Sequence, residues 1–141
     1  MKEVVKKIVE CALDNYQANK TGDIDKDLYL LLNNCWGLVV VPVEYNKTQE
    51  NHRLFQFDLN NGWGIDQTQI KYATCITVRD VVGYLRDAIS HLQFLYDPTT
   101  KEIKLWVSDS MLHPMRFEIT LPFKDLESFV LNFSQYSIKN L

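Results

Sequence analysis

The sequence has no long apolar run and no apolar segment at its N-terminus. Its longest continuous apolar stretch is Leu38–Val43, far shorter than the roughly 20 residues of a membrane-spanning helix. The first residues, MKEVVKKIVE, alternate charged with apolar side chains, which is not the pattern of a secretory signal peptide. The sequence therefore predicts a cytoplasmic protein that has no membrane partner.

Cysteine and positive charge are also scarce. The three cysteines are Cys11, Cys35 and Cys75, and an odd number at wide spacing argues against both a disulfide framework and a zinc site. We expect them to be small buried side chains in a reducing compartment, and we expect neither a metal nor another cofactor. The formal net charge is −3, which argues against a broadly basic nucleic-acid-binding surface. A small positive cleft made by a few residues stays compatible with this charge.

Apolar periodicity predicts a series of amphipathic helices. The first covers residues 2–19. The second covers Asp25–Val41, is apolar nearly all round as a central helix is, and should end or kink at Pro42. The clearest helix starts at the N-cap Thr77 and keeps its apolar stripe as far as Leu92. A final helix is predicted over Pro122–Ile138, with the proline in its first turn.

Between the last two helices the apolar pattern changes to an alternation of period two. Such segments flank Asp97-Pro98-Thr99-Thr100, a strong turn sequence. The whole chain, 1–141, is thus predicted to be one mainly α domain. It is a bundle of four to five helices with a small antiparallel β-hairpin or three-stranded unit before the last helix. No secondary structure is predicted for residues 44–76.

The helix that starts at Thr77 carries the residues with the clearest chemical potential. Leu85–His91 reads L-R-D-A-I-S-H, and Arg86, Asp87, Ser90 and His91 lie opposite its apolar stripe at about 100° per residue. A neutral histidine can accept the proton of an RNA 2′-hydroxyl, and a protonated one can donate to the leaving 5′-oxygen. Arginine can hold the phosphate between two N–H groups. This chemistry needs no metal.

The spacing of Arg86 and His91 favours a site shared by two chains. Five residues of a helix correspond to about 140° of rotation and about 7.5 Å of rise, so the two side chains flank a groove. A two-fold axis would bring two arginines and two histidines to one cleft, and two-fold dimers are the commonest assembly. In that cleft Asp87 could orient a histidine, and Ser90 could add a hydrogen bond.

Other polar residues carry less information. Gly83 lies on the same polar arc, where it either is tolerated as a neutral residue or allows another helix or a ligand to come close. Glu44 could face the cleft from the end of the second helix, but it is expected to be solvated. His52 and His113 are expected on the surface. Asp23, Asp25 and Asp27 lack the glycine and the distant glutamate of a calcium loop, so they favour a solvated helix N-terminus.

The segment R-D-A-I-S-H, between Leu85 and Leu92, resembles the signature of the HEPN superfamily. That signature is an arginine, a polar residue and a histidine after four to six positions. The order of elements also resembles small stand-alone bacterial HEPN domains. This resemblance implies a helical bundle, a homodimer and metal-independent endoribonuclease activity, typically in toxin–antitoxin, abortive-infection or other defence systems. It further implies that Arg86 and His91 are the catalytic pair, that RNA is the substrate, and that an antitoxin or regulatory protein is a possible partner.

Two other functions stay open. The chain could be a non-catalytic HEPN-like module that binds a nucleotide or a protein. It could also be a helical interaction protein in which the Arg-x4-His spacing is coincidental. The position of the motif on the polar face of the helix argues against coincidence. It distinguishes only weakly between a ribonuclease and a non-catalytic binding module.

Overall fold

The computed structural model describes residues 1–48, 56, 58–59, 62–108 and 114–141. Its helical elements are α1 Lys2–Asn19, α2 Ile24–Cys35, a π-helical segment Trp36–Val40, α3 Val41–Lys47, a 3-10 turn Gln67–Gln69, α4 Val78–Ser90 and α5 Phe123–Asn140. Its strands are β1 Ile70–Lys71, β2 Phe94–Asp97, β3 Glu102–Ser108 and β4 Met115–Pro122. The prediction of a mainly α bundle with a small antiparallel unit before the last helix is confirmed.

The turn between α1 and α2 is built from aspartates. Asp23 is the N-cap of α2 and accepts hydrogen bonds from two backbone N–H groups of its first turn. Asp27 is buried and accepts from the backbone N–H of Thr21 at 2.8 Å and of Gly22 at 2.9 Å. The expectation that this whole acidic segment is solvated was wrong for Asp27, because its carboxylate closes the turn from inside.

The second predicted helix does not end at Pro42. Helical structure runs without a break from Ile24 to Lys47, because the π-helical segment widens the turn ahead of the proline. There the Val41 N–H donates to the Trp36 carbonyl, five residues back, whereas Pro42 has no N–H to donate. The last turn of this helix, α3, consequently reaches α4.

The continuous stretch Ile24–Lys47 is, within the described part of the chain, the one helix long and apolar enough to cross a membrane by length and composition. Half of its most apolar window is buried inside the fold, and its π-helical segment contacts α1, α4 and α5. A helix that is apolar nearly all round is typically central to a core. This burial agrees with its predicted place at the centre of the bundle.

The sheet is antiparallel and has the strand order β1-β4-β3-β2. Strands β2 and β3 form the predicted hairpin, with Phe94 opposite Leu105. The short β1 is an addition from the stretch for which the sequence predicted nothing. The sheet packs on α4, where the rings of Tyr84 and Phe117 stack with centroids 4.7 Å apart. The sheet therefore fixes the position of α4, which carries the Arg86 motif.

Candidate functional site

Helix α4 begins as its sequence predicts. Thr77 and Asp80 form a reciprocal capping box, in which the Asp80 carboxylate accepts from the backbone N–H of Thr77 at 3.0 Å. The apolar stripe is buried at Val78, Val81, Val82, Leu85, Ala88 and Ile89. The polar arc lies on the other side, where part of it contacts α3.

Arg86 lies between two carboxylates. Its Nη1 atom contacts Glu44 Oε1 of α3, and its Nε atom is 2.9 Å from Asp87 Oδ1, an ion pair without hydrogen-bond geometry. The Arg86 side chain is 20% exposed, and that of Glu44 is 48% exposed. The guanidinium of Arg86 is thus accessible to solvent, and a phosphate could replace the carboxylates as its binding partner.

The predicted helix end at Leu92 was wrong, because α4 ends at Ser90 and His91 is its C-cap. The Leu92 N–H donates to the Ile89 carbonyl at 3.2 Å, and the Gln93 N–H donates to the Ala88 carbonyl at 2.8 Å. These two bonds, with Leu92 at φ 55°, form the Schellman ending of a helix, in which glycine is the usual left-handed residue. Leu92 consequently leaves the apolar stripe and is 76% exposed.

Ser90 and His91 are exposed at this end of α4. No hydrogen bond joins the side chains of Arg86 and His91 within the described part of one chain, and the Asp87 carboxylate contacts Arg86 and not His91. Next to them, Leu92 and Trp36, which is 63% exposed, line an apolar cavity of about 340 Å³. Trp36, one of the apolar residues around the predicted second helix, is therefore not part of the core.

A second cavity lies between α3 and α4, about one helical turn from Arg86. It measures about 220 Å³, and its lining includes Asn46, Lys47, Arg79 and Gly83. Asn46 is only 4% exposed, and its Oδ1 atom has no hydrogen-bond partner in the described residues. A Cβ atom added at Gly83 would meet no heavy atom within 4 Å. Helix–helix approach therefore does not explain this mid-helix glycine.

The family model described as HEPN pEK499 p136 matches residues 1–141. The chain belongs to the HEPN superfamily. No curated protein and no solved structure matches it.

Sequence reasoning missed one residue of this HEPN domain, Asn46, and considered Glu44 either as a solvated residue or as one that faces the cleft. Glu44 is exposed as expected, and it also contacts Arg86, because the helix continues past Pro42 and brings Glu44 to α4. Asn46 was not singled out, although it is buried beside Gly83. Glu44 and Asn46 follow Pro42 closely. Their contact with α4 could have been predicted only if the helix had been assumed to continue past the proline.

The other candidate residues add nothing to the site within the part of the chain that the structure describes. His52 and His113 lie outside the described residues. Residues 1–48, 56, 58–59, 62–108 and 114–141 contain no group of three or more histidine, cysteine or acidic side chains that could hold a metal ion. Cys35 and Cys75 are buried as expected, whereas Cys11 is exposed, which corrects the expectation for that residue.

Proposed function

We propose that this HEPN domain is a metal-independent endoribonuclease whose active site forms between two copies of the chain, with Arg86 and His91 as the catalytic pair. The observation that carries the proposal is the placement of the two residues at the accessible end of α4. Arg86 is held by the carboxylates of Glu44 on α3 and Asp87 on α4, and His91 is the C-cap residue, whose backbone is held by the helix end. Family membership supports this reading over the hypothesis of a coincidental motif.

The proposed reaction is transesterification within RNA. One His91 accepts the proton of the 2′-hydroxyl, whose oxygen then bonds to the adjacent phosphorus. The bond from phosphorus to the 5′-oxygen breaks, and the protonated His91 of the second copy donates a proton to that oxygen. Arg86 donates N–H groups to the phosphate oxygens as negative charge develops on them. The products are a 2′,3′-cyclic phosphate and a free 5′-hydroxyl, so atoms and protons balance without a metal.

The apolar surface around Trp36 and Leu92 supports a second copy of the chain as the missing half of the site. Both side chains are exposed although apolar, and Leu92 holds a left-handed conformation that costs a non-glycine residue energy. Both line the same cavity as Ser90, immediately before His91. Covering this surface with its two-fold copy would bury both side chains and bring the two His91 residues towards one cleft.

The dimer is tested by Trp36→Glu. A buried, unpaired carboxylate at the proposed interface should convert the protein to a folded monomer in sedimentation velocity, with loss of RNA cleavage. A dimer that persists in Trp36→Glu at the same protein concentration would place the interface elsewhere.

The activity is tested with single-stranded RNA of mixed sequence in excess chelator. The parent protein should cut and leave 2′,3′-cyclic phosphate ends. His91→Ala removes a general acid or base and Arg86→Ala removes a donor to the developing charge, so each should lose at least about a hundredfold in rate. Arg116→Ala removes an exposed arginine of β4 and serves as the matched control with full activity. Folded parent dimers that do not cut would contradict the proposal.

A non-catalytic module that binds a nucleotide or protein is the second candidate function. The cavity beside Asn46 favours it, because the cavity is separate from His91 and could bind a small ligand without chemistry.

For either function we propose a cytoplasmic role in a toxin–antitoxin, abortive-infection or other defence system. An antitoxin or regulatory protein is then a possible partner. Co-purification of a neighbouring gene's product that blocks cleavage would test this role.

A further inference from the structure

We propose that the open edge of β2 binds an extended segment of a partner protein as an added strand of the sheet, and that this segment carries a lysine or arginine beside Asp97. The strand order β1-β4-β3-β2 leaves β1 and β2 at the two edges. An edge strand has backbone groups that a strand of another chain can bind, and many proteins bind extended peptides in this way. Such binding does not require that the domain cut RNA.

The backbone of β2 has hydrogen-bonding groups that face away from the sheet. The Trp106 N–H donates to the carbonyl of Gln93 at 3.1 Å, so these two opposite residues form a hydrogen-bonded pair. Along an antiparallel pair, such positions alternate with positions whose N–H and C=O point away from the neighbouring strand. Phe94 and Tyr96 occupy the latter positions opposite β3. Within the described part of the chain their outward N–H and C=O groups have no hydrogen bond, and an added strand can supply the missing partners.

The two edges of the sheet differ in their protection against further pairing. Strand β1 has only two residues, and one of them is the charged Lys71. Short length and lysine are both devices that keep an edge from pairing with other chains. Strand β2 has four residues, F-L-Y-D, with neither lysine nor proline, and its Leu95 is 66% exposed. An apolar edge without these devices indicates that another chain covers it.

Two carboxylates at the turn end of β2 indicate the charge of that chain. Asp97 and Glu102 lie directly opposite each other, and like charges in opposite positions are unfavourable. Neither forms an ion pair with a basic residue of the described chain, because the neighbouring Lys101 and Lys104 pair with other carboxylates. A lysine or arginine of a partner would therefore neutralise a pair of like charges. Strand β2 of a second copy carries no basic residue, so a different protein is the better occupant.

A cavity of about 430 Å³ along this edge can receive side chains of the added strand. Its lining includes Leu95, Asp97, Glu102 and Lys104. Lys104 is 3.3 Å from the carboxylate of Glu118, so the charge left in the cavity is negative. Alternate residues of a strand share one face of a sheet. The partner should therefore place an apolar residue beside Leu95 and a basic residue two positions away, beside Asp97.

Hydrogen exchange with a synthetic peptide tests the added strand. The probe is the acetylated and amidated peptide T-K-T-V-T-K-T, which reads the same in both directions and so fits either strand orientation, and T-E-T-V-T-E-T is its counterpart. The lysine peptide should slow exchange of the Phe94 and Tyr96 amides in nuclear magnetic resonance spectra. It should bind about fivefold or more tightly than the glutamate peptide. Unchanged exchange at both amides, or equal affinities, would overturn the inference.

A charge reversal assigns the preference to the carboxylates. Glu102→Lys places a cation beside Asp97, so this variant should bind the glutamate peptide more tightly than the lysine peptide. Glu3→Lys makes the same change of charge at an exposed position of α1 and should keep the preference of the parent. If Glu102→Lys does not fold, Glu102→Gln replaces it, with a weakened preference expected. An unchanged preference in the folded Glu102 variant would contradict the role of the carboxylate pair.

The same exchange measurement distinguishes a partner protein from a second copy of this chain. Without peptide, we expect exchange of the Phe94 and Tyr96 amides to be fast and independent of protein concentration. Slower exchange at both amides with increasing protein concentration would show that a second copy covers the edge, and it would overturn the inference. Peptide binding by a protein that cuts no RNA would leave this surface in place and remove only the nuclease.

Discussion

At the scale of single residues, the site depends on how charges and caps hold Arg86 and His91. The guanidinium is shared by Glu44 and Asp87, so an incoming phosphate competes with two carboxylates. His91 is held by the backbone of the helix end, and no hydrogen bond from a side chain of the described residues is seen at its ring. In the proposed dimer, the partner chain or the RNA would orient this ring.

Removing one competing carboxylate should strengthen RNA binding. In Glu44→Gln the amide keeps the shape of the side chain but loses its charge, so we expect single-stranded RNA to bind severalfold more tightly at low salt. Fluorescence anisotropy in a His91→Ala background measures this without cleavage. Weaker binding would instead show that Glu44 positions Arg86 for the phosphate.

The three cysteines should differ sharply in reactivity. Burial raises the pKa of Cys35 to about 12, and burial followed by the charge of Asp80 raises that of Cys75 to about 11. Since the thiolate is the reactive form, alkylation near neutral pH should label Cys11 alone in the folded protein and all three in denaturant. Mass spectrometry locates the label, and early labelling of Cys35 would contradict the buried position.

At the scale of elements, much of the fold could be predicted from sequence because long amphipathic helices carry a strong periodic signal. The bounds of α1 and the Thr77 cap of α4 are as predicted. Predictions from neighbouring residues in the sequence failed at positions where tertiary packing determines where a helix ends. Pro42 usually ends a helix, but a π-helical turn inside the core accommodates it. Leu92 fits the apolar stripe, but the C-cap turns it out to solvent.

The candidate site could be predicted only in part, for the same physical reason. Arg86, Asp87, Ser90 and His91 are adjacent in sequence, so helical geometry alone places them near one another. Glu44 and Asn46 reach the site through contact between α3 and α4, and no local pattern encodes that contact. Among the described residues, the strand β1 likewise pairs with β4, which is distant from it in sequence.

Two glycines should respond to alanine in opposite directions. At Gly37 an added Cβ would lie 2.8 Å from the Ala12 Cβ, so overpacking between the π-helical segment and α1 should lower the free energy of unfolding by about 1–3 kcal/mol. At Gly83 the space is open, so Gly83→Ala should raise it by about 0.5–1 kcal/mol through helix propensity. Urea unfolding measures both, and destabilisation by Gly83→Ala would contradict the open cavity.

At the scale of the whole molecule, polar contacts join elements that are distant in sequence. Asp25 of α2 accepts from Lys101 at 2.9 Å and from the Tyr96 hydroxyl, which ties the hairpin to the bundle. The Tyr16 hydroxyl donates to the buried Glu127 of α5, and Lys20 lies 2.7 Å from the same carboxylate. Burial, followed by this contact, raises the pKa of Tyr16. The first set of contacts holds the hairpin against α2, and the second holds α1 and the residue after it against α5.

The aspartate contacts predict loss of stability in acid. Hydrogen bonds from Tyr96 and then Lys101 lower the pKa of Asp25. Burial by itself would raise the pKa of Asp27, but hydrogen bonds from Thr21 and Gly22 outweigh it and lower the pKa. A depressed pKa means stabilisation that is present above the ordinary aspartate range and lost as the pH falls through the folded-state value.

We therefore expect the free energy of unfolding to fall as the pH is lowered below about 5, and Asp25→Asn and Asp27→Asn to flatten this dependence. Urea titrations between neutral pH and pH 3 measure it. Asp14→Asn, at an exposed position of α1, is the control and should follow the parent. Curves for the two variants that run parallel to that of the parent would exclude these carboxylates as the cause.

The central claim is that two chains build one ribonuclease site, and subunit mixing tests it most directly. Parent protein and His91→Ala are refolded together in equal amounts, and RNA cleavage in excess chelator is compared with that of the same total amount of parent. If both His91 residues of a dimer are needed, only parent–parent dimers cut, and about one quarter of the activity should remain. Retention of about one half, or a parent protein that cuts no RNA, would contradict the account.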